Sequence, residues 1–266
     1  MDKWSLNGVV LNLRDNIAKE DIDKILGKVN PQWGIRQIQF MHRFEVDPYT
    51  LKLINDYILT KYPTAGLRNV FNGKWAFDNL DFLEFLPSLK NLGVDLYDQI
   101  PLKPINKYLD LESLGIGGVI RIIRIHEIQN QKNLRSLFAC GKIKDIEIIG
   151  NMPQLEKLTF SMMTLKSLKF LYPLENLKEL HFMLGGTKNL YDLPRIGKIE
   201  KLSFTRVRLL KIENLEPINN MKYLKHLTFD TQPHLTDLDW LKNKDVKVEV
   251  FNCKNYKGKD QKHYWQ

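Results

Sequence analysis

Apolar residues return along this chain in a short block that reads apolar, two polar, apolar, one variable residue, then Phe. Four copies stand in one frame: QLEKLTF at 154–160, NLKELHF at 176–182, KIEKLSF at 198–204 and YLKHLTF at 223–229. Their first apolar positions, Leu155, Leu177, Ile199 and Leu224, are 22, 22 and 25 residues apart. The same frame runs backwards through Leu134, Leu111, Leu89 and Leu67, and forwards to a weaker copy, DVKVEVF, at 245–251. Side chains alternate across a strand, so the fourth and sixth positions of each block share one face. Leu158/Phe160, Leu180/Phe182, Leu202/Phe204 and Leu227/Phe229 then predict a row of short strands with a stacked Phe column inside.

The segments between blocks carry Leu at three-residue spacing: Leu165, Leu168, Leu171 and Leu174, then Leu190, Leu193 and Ile196. That spacing predicts 3₁₀ turns or irregular arcs rather than full α-helices. Upstream the blocks GIRQIQF and LNGVVLN continue the frame at longer steps, with Ile35, Ile38 and Phe40, then Leu6, Val9 and Leu11. AKEDIDKILGKV at 18–29 and DPYTLKLINDYIL at 47–59 show apolar spacing near 3.6 residues and predict helices. A fixed period of this length marks an array in which no unit buries its apolar face alone.

These blocks resemble leucine-rich repeats, whose consensus is LxxLxLxxN/CxL at 20–29 residues. The resemblance implies an α/β solenoid: a curved horseshoe with a parallel β-sheet on its concave face and strand–helix units at the N-terminus. It covers residues 67–251 firmly, with 1–66 as a capping region and 252–266 as a basic tail. Residues 67–251 are expected to supply eight or nine parallel strands. One departure is visible. The position that usually holds a buried Asn or Cys carries Tyr97, Val119, Met163, Gly185, Val207 and Gln232, so the asparagine ladder is missing.

With the fourth and sixth positions inward, the third, fifth and seventh face solvent, and the resemblance makes this face the ligand surface. Its columns hold Phe71, Phe138, His181, Met183, Thr205 and Asp230, the candidate protein-binding residues. Phe71 and Phe138 are either binding anchors or rings covered by their neighbours. Gly93, Gly115, Gly117 and Gly118 leave the middle of the sheet bare. Lys157, Glu179 and Lys201 fall on successive strands about 4.8 Å apart and predict an alternating charge ladder.

Composition changes this picture little. Leu and Ile together fill 63 of 266 positions, which is the repeat seen as a bias. The net charge is +9, but Lys supplies 30 of the 40 basic residues and Arg 10. Nucleic-acid readers rely on the guanidinium fork, so a basic nucleic-acid-binding repeat is the competing reading and not the leading one. Seven Lys lie in residues 242–266.

The start, MDKWSLNGVVLNL, lacks a long apolar core, no run of about 18 apolar residues occurs, and Cys140 and Cys253 are the only cysteines. Neither a secretory leader, a membrane span nor a disulfide framework is expected, and a cytoplasmic location follows as the expectation. The six His residues show no HExxH spacing, and no phosphate-cradling Gly motif is present, so no catalytic residue, cofactor or metal is assigned. His181, Glu179 and Ser203 superficially suggest a nucleophile arrangement, but an open sheet offers no enclosed pocket. The sequence therefore reads as a non-enzymatic protein-binding scaffold, with a monomer favoured. Family analogy adds a divergent, short bacterial-type protein of immunity, inhibitor or adaptor type.

Overall fold

A computed structural model describes residues 2–41, 44–69, 79–96, 101–208, 210–243 and 245–258. It divides into two compact units, Met1–Leu134 and Arg135–Gln266. The first contains β1 (Trp4–Asn7), β2 (Val10–Leu13), β3 (Gln37–Phe40), β4 (Gly66–Asn69), β5 (Asn91–Leu96) and β6 (Ser113–Arg124). The second contains β7 (Ser136–Lys144), β8 (Lys157–Ser161), β9 (Glu179–Met183), β10 (Lys201–Thr205), β11 (His226–Asp230) and β12 (Lys247–Phe251). Within each unit the strands lie side by side in chain order. This is the leucine-rich-repeat solenoid arrangement, one strand and one return per coil.

In the first unit, β2 to β6 are parallel. The exception is β1, which folds back antiparallel on β2 through the two-residue turn Gly8-Val9, with Gly8 at φ +60°. A first turn residue at positive φ matches the twist of a hairpin, and Gly adopts it without penalty. The repeat frame alone gave no sign of this hairpin. Helix α1 spans Lys19–Lys28, and α2 (Pro48–Leu53) runs on as a π-helical segment over Ile54–Leu59, so both predicted helices are present. Asp47 caps α2 by accepting the Thr50 N–H at 2.6 Å, with Pro48 in the first turn. A short helix α3 covers Lys103–Tyr108.

The upstream frame needs correction. Leu67 pairs with Leu92, and Gly66 with Asn91, so Leu67 occupies the fourth position of its block and not the first. Likewise Leu11 pairs with Ile38 and Leu13 with Phe40, which moves the first block two residues downstream of the frame set by Leu6 and Val9. The outward fifth position of β4 is therefore Arg68, opposite Gly93. Phe71 lies outside the described residues, as do Gly73, Trp75 and Tyr97.

At Leu89, at Leu111 and from Leu134 onward the frame holds. Leu158, Phe160, Leu180, Phe182, Leu202, Phe204, Leu227 and Phe229 are all buried. The rings stack: centroids lie 6.1 Å apart for Phe160–Phe182, 5.6 Å for Phe182–Phe204 and 5.7 Å for Phe204–Phe229, with interplanar angles of 29°, 9° and 14°. Phe170 and Trp240 close the two ends edge-on. The opposite wall is the Leu series at three-residue spacing, carried through 3₁₀ turns at Lys169–Leu171 and Leu193–Arg195, as the spacing predicts. Each fully buried side chain of this size contributes roughly 1.5–3 kcal/mol, and the gain is shared between neighbouring coils.

Other polar side chains do the work of an asparagine ladder. In the second unit, Gln232 Nε2 donates to the Phe204 and Asp230 carbonyls at 3.0 and 3.2 Å. Cys253, the equivalent residue after β12, is buried and its sulfur accepts the Gln232 N–H at 3.2 Å. Asp192 accepts the Leu168 N–H and Thr187 the Leu165 N–H, each at 3.0 Å. In the first unit, Gln131 accepts the Leu111 N–H and Thr50 the Ile17 N–H, at 2.9 and 3.0 Å. At Gly185 no side chain fits, because a Cβ would meet the Met163 carbonyl oxygen. There the turns bond directly, Gly186 N–H to Met163 and Arg208 N–H to Gly185. Buried backbone groups thus find partners along the stack, as they must where water is excluded.

Candidate protein-binding face

The outward side of β7–β11 carries the candidate residues of the second unit. Strand pairing sets Ser136, Lys157, Glu179, Lys201 and His226 in one row, and Phe138, Thr159, His181, Ser203 and Thr228 in the next. Cys140, Ser161, Met183, Thr205 and Asp230 form the third. Parallel pairing in register makes each row a line of near neighbours, so one chemical property can extend across several coils.

Charge organises the first row. Lys157 Nζ lies 3.3 Å from Glu179 Oε2, and Lys201 Nζ lies 2.7 Å from Glu179 Oε1, the alternating ladder that the sequence predicts. Partial burial pushes the Glu179 carboxyl up, but the hydrogen bonds and charges of Lys201 and Lys157 outweigh it and bring its pKa to about 2. His181 sits beside this ladder with Nδ1 2.5 Å from Ser203 Oγ. Burial, aided by Lys157, holds its pKa below the ordinary imidazole value, so the ring is neutral at pH 7.

The Glu179–His181–Ser203 order has the composition of a hydrolytic relay. Its geometry differs: Nε2 is 3.6 Å from the Glu179 carboxylate, beyond hydrogen-bond reach, and that carboxylate is held by two ammonium groups. A relay needs its acid aimed at the ring, and here the acid is aimed at lysines. The trio is a polar brace across two neighbouring strands, β9 and β10.

Exposure sorts the remaining candidates. Phe138 is 38 % exposed and is the large apolar ring of this face. Met183 and Thr205 are half-buried with their side chains reachable. Asp230 is not on open surface: it is 7 % exposed, and its Oδ1 accepts from the Thr231 hydroxyl at 2.8 Å and Asn252 Nδ2 at 3.2 Å. Ser161 and Thr159 are also buried, so the expectation that the outward columns face solvent throughout holds only in part. Periodicity reports which way a side chain points and says nothing of what covers it.

One feature of this edge was not foreseen. The residue that follows each of β8–β12 is Met162, Leu184, Arg206, Thr231 and Asn252, and each is left-handed, with φ between 49° and 55°. Their N–H groups stay in the sheet ladder: Met162 donates to Met183, Leu184 to Thr205, Arg206 to Asp230 and Thr231 to Phe251, at 2.8–2.9 Å. The left-handed turn then redirects the chain into its return. A Gly or Asn would be the sequence signal for such a turn; four of these five positions carry neither.

Among the described residues no helix is long and apolar enough to cross a membrane, and no group of three or more His, Cys, Asp or Glu could hold a metal ion.

No protein-family model matches the chain, and no curated protein matches it. Solved structures do resemble it. An internalin (inlF) from Listeria monocytogenes superposes with a TM-score of 0.50 at 19 % identity, covering 80 % of this chain and 66 % of that one. A chain of the Toll–Spätzle complex from Drosophila superposes with a TM-score of 0.59 at 14 % identity, covering 93 % of this chain and 34 % of that one. At such identities the likeness is one of fold. This chain spans under two thirds of either protein's length.

Proposed function

We propose that this leucine-rich-repeat solenoid is a protein-binding scaffold that engages its partner through the outward face of β7–β11. The observation that carries the reading is the contrast between the two faces of those strands. The inward face repeats Leu and Phe through β8–β11, with Leu137 and Ala139 in β7, as packing demands. The outward face changes residue type at each coil, setting an exposed Phe138 beside hydroxyls, a charge ladder, His181 and Met183. A face serving solubility alone needs only charge. Aromatic, Met and hydroxyl groups around a few charges are the composition of a contact surface.

Phe138, His181, Met183 and Thr205 are the contacts, and Asp230 supports the edge by bonding Thr231 and Asn252. The Toll–Spätzle complex supports the reading by analogy, since there a chain of this fold occurs in an assembly with another protein. Both cysteines are thiols, one of them a buried part of the inter-coil bonding, which suits a reducing compartment. A cytoplasmic monomer of adaptor or immunity-inhibitor type is the role that fits these features.

The test is affinity for a partner recovered from the native cell, measured for single variants with circular dichroism as the folding control. Phe138→Lys or Met183→Lys should weaken binding by more than about 1 kcal/mol if a hot spot lies there. Unchanged affinity in Phe138→Lys, His181→Ala, Met183→Lys and Thr205→Lys, with loss on removal of the Lys-rich segment 254–262, would move the function to the tail.

A further inference from the structure

The left-handed residues at the strand ends build a feature that the open face does not account for. Met162, Leu184, Arg206 and Thr231 occupy equivalent places in four successive coils, and with Arg208 and Pro233 they line a surface groove of about 480 Å³. Its floor is apolar, and it leaves Met162 53 % and Leu184 38 % exposed. Nothing in the turn requires those side chains. A left-handed backbone is unfavourable for an L-residue relative to Gly, so the positions hold large side chains against local preference.

The two arginines give the groove its chemistry. Among the described residues, neither the Arg206 nor the Arg208 guanidinium has a hydrogen-bond or ion-pair partner, although both backbones are fixed by inter-coil bonds to Asp230 and Gly185. The Asp230 carboxylate is occupied by Thr231 and Asn252. Elsewhere in this unit the exposed lysines 157, 178, 201 and 225 each have a carboxylate within 3.3 Å. Two guanidinium forks left without carboxylates beside an apolar floor make a complementary site for a carboxylate adjoining an apolar group. Because ladder hydrogen bonds fix the backbone under these side chains, part of the ordering cost of binding is already met.

We infer that this groove docks an extended segment of a partner protein in which an Asp or Glu stands next to a large apolar residue. The carboxylate takes the Arg206–Arg208 forks and the apolar side chain lies on Met162, Leu184 and Pro233. The net charge of +9 favours an acidic partner over a second copy of this chain. The inference rests on the protein-binding reading and adds to it the chemistry of the segment recognised at the edge of the face.

The test uses random dodecapeptides displayed on phage and selected on the purified full chain, followed by fluorescence polarisation with the best synthetic peptide. Selected sequences should place Asp or Glu beside Leu, Ile, Phe or Met. Their binding should weaken about tenfold or more in Arg206→Ala/Arg208→Ala, since hydrogen bonds to charged groups are worth about 1.5–3 kcal/mol. Arg206→Lys, which keeps charge but loses the fork, should also weaken it, as should Met162→Ser and added salt. Failure to enrich any sequence, enrichment without acidic residues, or full affinity in the arginine double variant would overturn the inference. Peptides released by Phe138→Lys but not by the arginine variants would place them on the open face, leaving the scaffold reading intact and the groove refuted. Self-association that vanishes in the arginine variants would put a second copy in the groove, and would also refute it.

Discussion

Replacing Phe182 with Ala tests the inner column where its logic is strongest. The ring is buried between Phe160 and Phe204, at centroid distances of 6.1 and 5.6 Å. Truncation removes the transfer free energy of the ring and leaves a cavity that neighbours on adjacent coils, fixed by strand pairing, fill poorly. A loss of about 3–5 kcal/mol is expected. Phe182→Leu separates the terms: it keeps most of the apolar volume but forfeits two stacked contacts at about 0.5–1.5 kcal/mol each, so about 1–3 kcal/mol is expected. Urea unfolding followed by circular dichroism reads both, with the midpoint falling while the slope stays constant. A double-mutant cycle with Phe204→Ala should return a coupling of about 0.5–3 kcal/mol. A cost below about 1 kcal/mol for Phe182→Ala, or no coupling to Phe204, would refute the stacked column as a source of stability.

Three further outcomes follow from particular residues. At Leu184, φ is +55°, so Leu184→Gly should be about 1 kcal/mol more stable than Leu184→Ala in thermal unfolding, the reverse of the usual order in regular structure. Gly185→Ala should cost at least about 2 kcal/mol, because its Cβ would meet the Met163 carbonyl oxygen, which accepts the Gly186 N–H between the turns; a neutral result would show that these turns can spread.

The third outcome is a pH dependence. The folded pKa of Glu179 is about 2 against an ordinary 4.5, so its contribution is complete above pH 4.5 and is lost as pH falls from there towards 2. The folded pKa of His181 is also depressed, so its contribution is present above pH 6.5 and declines as pH falls below that value. Denaturant midpoints measured against pH should flatten in the first window for Glu179→Gln and in the second for His181→Gln. Wild-type slopes in both variants would contradict these assignments.

The second unit was legible because its strands are short, its returns are of nearly constant length and Phe closes the blocks of β8–β11. Leu180/Phe182 and Leu202/Phe204 fix the register twice over, and a slip of one residue would turn both pairs outward. Upstream the same reasoning misplaced Leu67, since an LxxL pattern presents Leu at both its first and fourth positions and the helical return before β4 breaks the period. The β1–β2 hairpin escaped because Gly8-Val9 closes strands that already fitted a repeat frame. Of the candidate face, the charge ladder and the outward direction of Phe138 are readable from alternation, whereas the exposure of its ring is not. The burial of Asp230 was not, because hydrogen bonding to Thr231 and Asn252 compensates a polar burial that hydropathy assigns to solvent. The groove was invisible for a different reason: Met162, Leu184, Arg206 and Thr231 adopt a backbone conformation that sequence normally announces with Gly or Asn.

The central claim, that this chain works by holding another protein on the outward face of β7–β11, is tested most directly by photo-crosslinking in the native cell. A benzophenone amino acid replaces Phe138, Met183 or Thr205 on that face, and in separate proteins Tyr191 or Tyr223, which are 78 % and 50 % exposed on the return segments. The account predicts one discrete protein adduct from the face positions and none of it from Tyr191 or Tyr223. An adduct formed only from the return-segment tyrosines, or one that nuclease removes and protease does not, would contradict it.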